Sequence, residues 1–182
     1  MPTVLAILAD GFEEIEAISP IDILRRAKAE VVVAALGEGI HVTGRSGITL
    51  HADTSLSALS AGAMPGYDCV FLPGGPGVAR LRADPRVRAL VLRQNKEGRL
   101  LAAICAAPLV LADAGLLEGR RYTAHFSAAS ELPQCLPGER TVEDGNLLTS
   151  RGAGTATDFG LLLVERLFGR DRAREIASSI CF

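Results

Sequence analysis

Through most of the chain, apolar runs of strand length alternate with stretches whose apolar positions recur every three to four residues. That alternation predicts βα units and a largely parallel sheet with helices on both faces, an α/β sandwich. Residues 3–9 read as the first strand. The Asp10-Gly11-Phe12 turn then delivers a helix beginning near Glu13, with acids in its first turn. Ser19-Pro20 interrupts this helix, either as a kink or as a fresh cap with proline at the first helical position, before residues 21–27 continue it. Residues 30–35 form the second strand. Gly39, Gly44 and Gly47 then separate short β-like pieces at 40–43 and 48–51, which predicts a hairpin at the sheet edge.

Residues 67–72 are the next core strand, ending at Pro73-Gly74-Gly75-Pro76-Gly77. Asp84-Pro85 caps a helix that runs to about Glu97 and stops at Gly98. The apolar run 99–104 ends at Cys105, and a helical pattern begins at once at Ala106 and ends near Gly115. A strand at 121–124 is expected to deliver His125 to its end. Residues 142–149 read as a hairpin about Glu143-Asp144-Gly145, followed by a strongly apolar helix at 156–168 and a last helix near 171–180. Neither a repeat nor a linker divides residues 1–182, so a single domain is expected.

At 182 residues, such a domain buries roughly 70% of the surface its unfolded chain exposes and needs no disulfide or metal to fold. The 19 basic and 21 acidic residues are interspersed. No basic stripe is present to neutralise a phosphate backbone, so nucleic acid is not an expected partner. Met1-Pro2-Thr3 leads into an apolar run without a charged leader and far short of the roughly 20 residues that cross a bilayer. A cytoplasmic protein is expected. Cys69, Cys105, Cys135 and Cys181 are widely spaced, form no C-x-x-C pair and have no histidine at metal-ligand spacing. Reduced thiols without zinc or any other metal follow.

In open α/β sheets the ligand crevice lies beyond the carboxyl ends of the strands. Four segments fall there: Asp10 to Glu16, the Pro73 to Gly77 loop, Cys105, and His125-Phe126. Cys105 has the layout of a nucleophile elbow, a sharp strand-to-helix turn that holds its side chain clear of both elements. The alternative at that position is a buried structural cysteine. The amides of Ala106 and Ala107 at the following helix, with Gly74 and Gly75 of the glycine loop, can favour a thiolate and hold an oxyanion on a substrate carbonyl. Glu16 lies on the inward face of its helix, three residues from Glu13. A carboxyl beside a thiolate tends to keep its proton and donate a hydrogen bond to the sulfur. His125 is a candidate base or general acid, or a satisfied loop histidine. His41 and His51 read as solvated or structural, Cys69 as core, and Cys135 and Cys181 as unreactive.

Five segments together carry a family resemblance: Leu8-Ala9-Asp10-Gly11-Phe12-Glu13-Glu14-Ile15-Glu16, Pro20-Ile21-Asp22-Ile23-Leu24-Arg25-Arg26-Ala27, Leu72-Pro73-Gly74-Gly75, Ala102-Ala103-Ile104-Cys105-Ala106-Ala107-Pro108, and Leu148-Thr149-Ser150-Arg151-Gly152-Ala153-Gly154-Thr155. Over nearly its whole length the chain resembles the DJ-one/ThiJ/PfpI superfamily, in its DJ-one and ThiJ-like branch. The resemblance implies a flavodoxin-like sandwich, a homodimer, and Cys105 as oxidisable nucleophile with Glu16 as protonated partner and His125 nearby. Glu13, Arg26 and Arg45 match positions around the pocket, the arginines being open to contribution across a dimer interface. The family is associated with cofactor-independent conversion of dicarbonyls such as methylglyoxal, as a glyoxalase or as a deglycase acting on early glycation adducts. It is also associated with oxidative-stress sensing through cysteine sulfinate and with chaperone activity, which a non-enzymatic protein could perform. PfpI-type proteases carry histidine directly after the cysteine. Ala106 stands there in this chain, so proteolysis is disfavoured. The chain also ends at Phe182 without the longer tail of some relatives.

Overall fold

The computed structural model describes residues 1–61 and 65–182. Strand β1 (Thr3–Leu8) leads into helix α1 (Glu14–Arg26), and β2 (Glu30–Ala35) returns parallel to β1. A hairpin of β3 (His41–Thr43) and β4 (Thr49–His51) follows, then β5 (Thr54–Ser55), helix α2 (Leu56–Ser60) and β6 (Cys69–Leu72). Helices α3 (Val78–Ala83) and α4 (Pro85–Lys96) precede β7 (Leu100–Ile104), and α5 (Pro108–Asp113) comes after it. The chain closes with β8 (Thr141–Asp144), β9 (Leu147–Ser150), α6 (Ala156–Phe168) and α7 (Arg170–Ser179).

The main sheet has the order β5-β2-β1-β6-β7-β9-β8, parallel throughout except where β8 meets β9. Its five central strands follow the doubly wound, flavodoxin-like order, in which the direction of winding reverses between β1 and β6. The loops after β1, β6 and β7 therefore open into one crevice.

Period-two alternation divides the core. From β1, Val4, Ala6 and Leu8 face Leu24 of α1 and Phe159 and Leu163 of α6, while Leu5 and Ile7 face the layer that holds Val87 and Val91 of α4 and Val110 and Leu111 of α5. Pro20 does not break α1, which runs as one helix. Close packing on α6 offsets the backbone bond that proline removes: a Cβ at Gly160 would meet Ile23 Cδ1 at 2.8 Å and the Pro20 backbone at 3.1 Å. Gly160→Val is thus expected to lower stability by about 1–3 kcal/mol through overpacking, read as a fall in melting temperature. An unchanged melting temperature would contradict that packing.

Three sequence expectations need correction. Residues 121–124 form no strand, because β9 already occupies the flank of β7. This segment is satisfied instead by Leu136 N–H donating to Tyr122 O and Thr123 N–H donating to Thr149 Oγ1. The β3–β4 hairpin is a separate two-stranded sheet, and it folds over the crevice rather than extending the sheet edge. Gly11 N–H donates to Thr43 O, Arg45 N–H donates to Phe12 O, and the buried Glu14 carboxylate accepts from the Ser46 amide at 2.7 Å. Lastly, the helix after Cys105 begins at Pro108 rather than Ala106. Elements β5, α2 and α3 were not anticipated, having only two, five and six residues, too few for a periodic pattern to register.

Candidate active site

Where β7 ends, Cys105 adopts φ +65°, in the left-handed region that side chains larger than glycine's rarely occupy. Backbone bonds hold it there. Its N–H donates to Ser150 O and its C=O accepts from His125 N–H, each at 2.9 Å. The strain is therefore balanced by the β9 terminus on one side and the His125 loop on the other. This turn is the predicted elbow. Cys105 is 9% exposed and lines a pocket of ≈ 390 Å³ together with Glu13, Glu16, Arg45, Gly75, Ala106 and His125.

Glu16 is the side chain that meets the sulfur. It comes from the first turn of α1, is 1% exposed, and is joined to Cys105 by a side-chain hydrogen bond. Gly74 N–H donates to its Oε2 at 3.1 Å, and the Ala153 amide also serves the carboxyl. Ser150 Oγ and Thr155 Oγ1, 2.7 Å apart, brace the 3₁₀ turn Ala153–Thr155 that presents this amide. Burial pushes Glu16 up to about 7 and the charge of Glu13 adds to the rise, against the lowering by its hydrogen bonds.

The sulfur departs from expectation. Burial, followed by the charge and hydrogen bond of Glu16, pushes the Cys105 thiol up to about 12, and the Gly75 and Ala106 amides only partly oppose this. The Ala107 amide cannot help, since it donates to Ile104 O, and the helix dipole begins too far along the chain. These shifts belong to a coupled pair. With Glu16 ionised, its charge holds the proton on sulfur. With Glu16 protonated, the same contact becomes an O–H donor which, with the two amides, favours thiolate.

His125 lines the same pocket. Its Nδ1 accepts from the Ser127 amide at 3.3 Å and lies 2.8 Å from Ser127 Oγ, which assigns the ring proton to Nε2. Burial and the charges of Arg45 and Arg151 push its pKa down, keeping the ring neutral at pH 7. The side chain forms no hydrogen bond to Cys105 or Glu16 among the described contacts.

The remaining candidates divide. Glu13 lines the pocket and caps α1, accepting from Glu16 N–H at 2.8 Å, so it orients the helix turn that carries Glu16. Arg45 reaches the pocket from the same chain, on the hairpin turn, and forms no ion pair among the described residues. Arg26 is ten positions beyond Glu16 on α1 and pairs with Asp22 at 2.7 Å; this chain does not bring it to the pocket. The Gly74 amide is committed to Glu16, leaving Gly75 and Ala106 to face the sulfur. Ser127, Arg151 and Ala153 were missed as individual contributors. Arg151 and Ala153 lie within a segment that carries the resemblance, and Ser127 had no signal beyond its closeness to His125. No group of three or more His, Cys, Asp or Glu side chains among the described residues is arranged to hold a metal. No helix among them is long and apolar enough to cross a membrane.

Fold and site together define a doubly wound α/β protein with a cysteine on a strained strand-to-helix elbow. Residues 2–166 match the model of the DJ-1/PfpI family, and the chain belongs to that family. It is similar to the solved structure of oxidised DJ-1 from Toxoplasma gondii, with TM-score 0.93, 36% identity, and coverage of 100% of this chain and 99% of that one. It is 40% identical over 181 residues to the protein DJ-1 homolog B of Arabidopsis thaliana, a match that takes in 98% of this chain but only 41% of the plant protein. The chain thus spans less than half the length of that relative. The superfamily includes enzymes: isonitrile hydratase of Pseudomonas putida is 31% identical over 165 residues, 89% of this chain and 70% of that protein.

Proposed function

We propose that this protein is a cofactor-independent glyoxalase, acting on methylglyoxal-like 2-oxoaldehydes through Cys105. The observation that carries the reading is the buried Glu16 carboxyl bonded to Cys105 on the strained elbow, with the Gly75 and Ala106 amides facing the same sulfur. Cys105 thiolate attacks the aldehyde carbon. A C–S bond forms, and the carbonyl π pair becomes an oxyanion that these amides hold and that takes the Glu16 proton. The Glu16 carboxylate then removes the hydrogen of that carbon as a proton, and its electron pair moves through an enediol so that the neighbouring carbonyl carbon is protonated. The product is a thioester of a 2-hydroxy acid. Water cleaves it, releasing the acid and returning the thiol, so the net change is addition of one water. Neutral His125, with Nε2 free to donate, stands on the pocket wall. Deglycation of early protein adducts would use the same attack.

A cytoplasmic homodimer belongs to this reading. Ile15 and Ile18 on α1 and Ile48 on the hairpin are exposed large apolar residues that a second copy would cover. The test is proton NMR of the purified protein with methylglyoxal and no added thiol. Lactate should accumulate well above the buffer rate; none above that rate would refute the activity.

A further inference from the structure

Beside the Cys105 pocket lies a second, larger cavity of ≈ 580 Å³. The two share His125 and Ala153 in their walls, so they adjoin at these residues. The second arm is lined by apolar groups, including Ala129, Leu132, Pro133 and Phe126. Phe126 is 80% exposed, a large aromatic left in solvent at the rim, and its ring centroid is 4.0 Å from that of His125. Its neighbouring arginines are already engaged. Arg140 pairs with Asp158 at 2.7 Å and Arg151 donates to Pro137 O.

We infer that this arm is the subsite for the apolar side group of the substrate, and that aromatic 2-oxoaldehydes rather than methylglyoxal fit the whole site. The inference rests on the proposed activity. A methyl group leaves the second arm to water, whereas an aryl group attached to the ketone carbon displaces that water and lies against Phe126 and Leu132. One methylene in an apolar pocket is worth roughly 10–200-fold in discrimination, so a phenyl ring in place of methyl should give at least a tenfold preference.

Two measurements decide the inference. The ratio of kcat/KM for phenylglyoxal to that for methylglyoxal should be at least about ten in the native chain and fall towards one in Ala129→Trp, whose indole fills the arm from an exposed position. Separately, Cys105→Ser protein should bind mandelate at least about tenfold more tightly than lactate by NMR titration, and adding Ala129→Trp should erase the difference. If neither dicarbonyl is turned over, the glyoxalase reading fails while the mandelate arm still decides the subsite. Equal binding of mandelate and lactate, or an Ala129→Trp variant that keeps the preference, would overturn the inference.

Discussion

Cys105→Ser is expected to reduce hydroxy-acid formation from methylglyoxal by at least about a thousandfold, the scale on which removing an activated nucleophile acts. A serine hydroxyl is nearly the same size and suits the same turn, so the β9 and His125 backbone bonds that hold φ at +65° should persist. The hydroxyl, however, does not ionise in the pH range the protein survives, and neither Glu16 nor two amides can change that. Melting temperature should move by no more than about 4 °C, corresponding to roughly 1 kcal/mol in a chain of this size. Retention of most of the rate by a folded Cys105→Ser protein would remove the sulfur from the mechanism.

Gly74→Val should be nearly as damaging, for a geometric reason. A Cβ at Gly74 would meet Glu16 Oε2 at 2.5 Å, Cys105 Cβ at 2.6 Å and Cys105 Sγ at 3.0 Å. The side chain would be driven between the two groups whose contact defines the site, and the Gly74 amide that steadies Glu16 would shift with it. Overpacking costs about 1–3 kcal/mol, or a fall of roughly 2–12 °C at 2–4 °C per kcal/mol. Activity should fall by a hundredfold or more, far beyond what that destabilisation alone implies at 25 °C. If the variant lost stability but kept the native rate of Cys105 alkylation, Gly74 would matter only for packing.

Much of this arrangement was legible in the residues because long elements announce themselves. The 30–35 strand and the 156–168 helix fall where their apolar patterns place them, and Asp84-Pro85 opens α4 as its capping chemistry requires. The elbow at Cys105 was legible because an apolar strand pattern ends and a helical one begins at a single residue. What escaped depends on neighbours rather than on local pattern. Residues 121–124 have strand composition, but β6 and β9 already flank β7. Pro20 reads as a break until Gly160 of α6 packs against it, across 140 positions of sequence. Arg26 and Arg45 look equivalent along the chain, yet one lies at the far end of α1 and the other is folded over the pocket by Glu14. The sulfur's ionisation was misjudged because burial acts against a thiolate, and burial at a strand end is set by the hairpin and loops that cover it.

The central claim is that Glu16 shares its proton with Cys105, so that when the coupled pair loses its first proton the charge rests on sulfur. Its most direct test is the rate of Cys105 alkylation by iodoacetamide, followed by mass spectrometry from pH 5 to 11 in the native chain and in Glu16→Leu. The account predicts an inflection in the native protein where the coupled pair gives up its first proton, with reactivity low below it and high above. In Glu16→Leu the inflection should move up, because burial remains while the proton-donating partner is gone. An inflection that stays in place or moves down would show that Glu16 acts on the sulfur as a repelling charge, and would contradict the account.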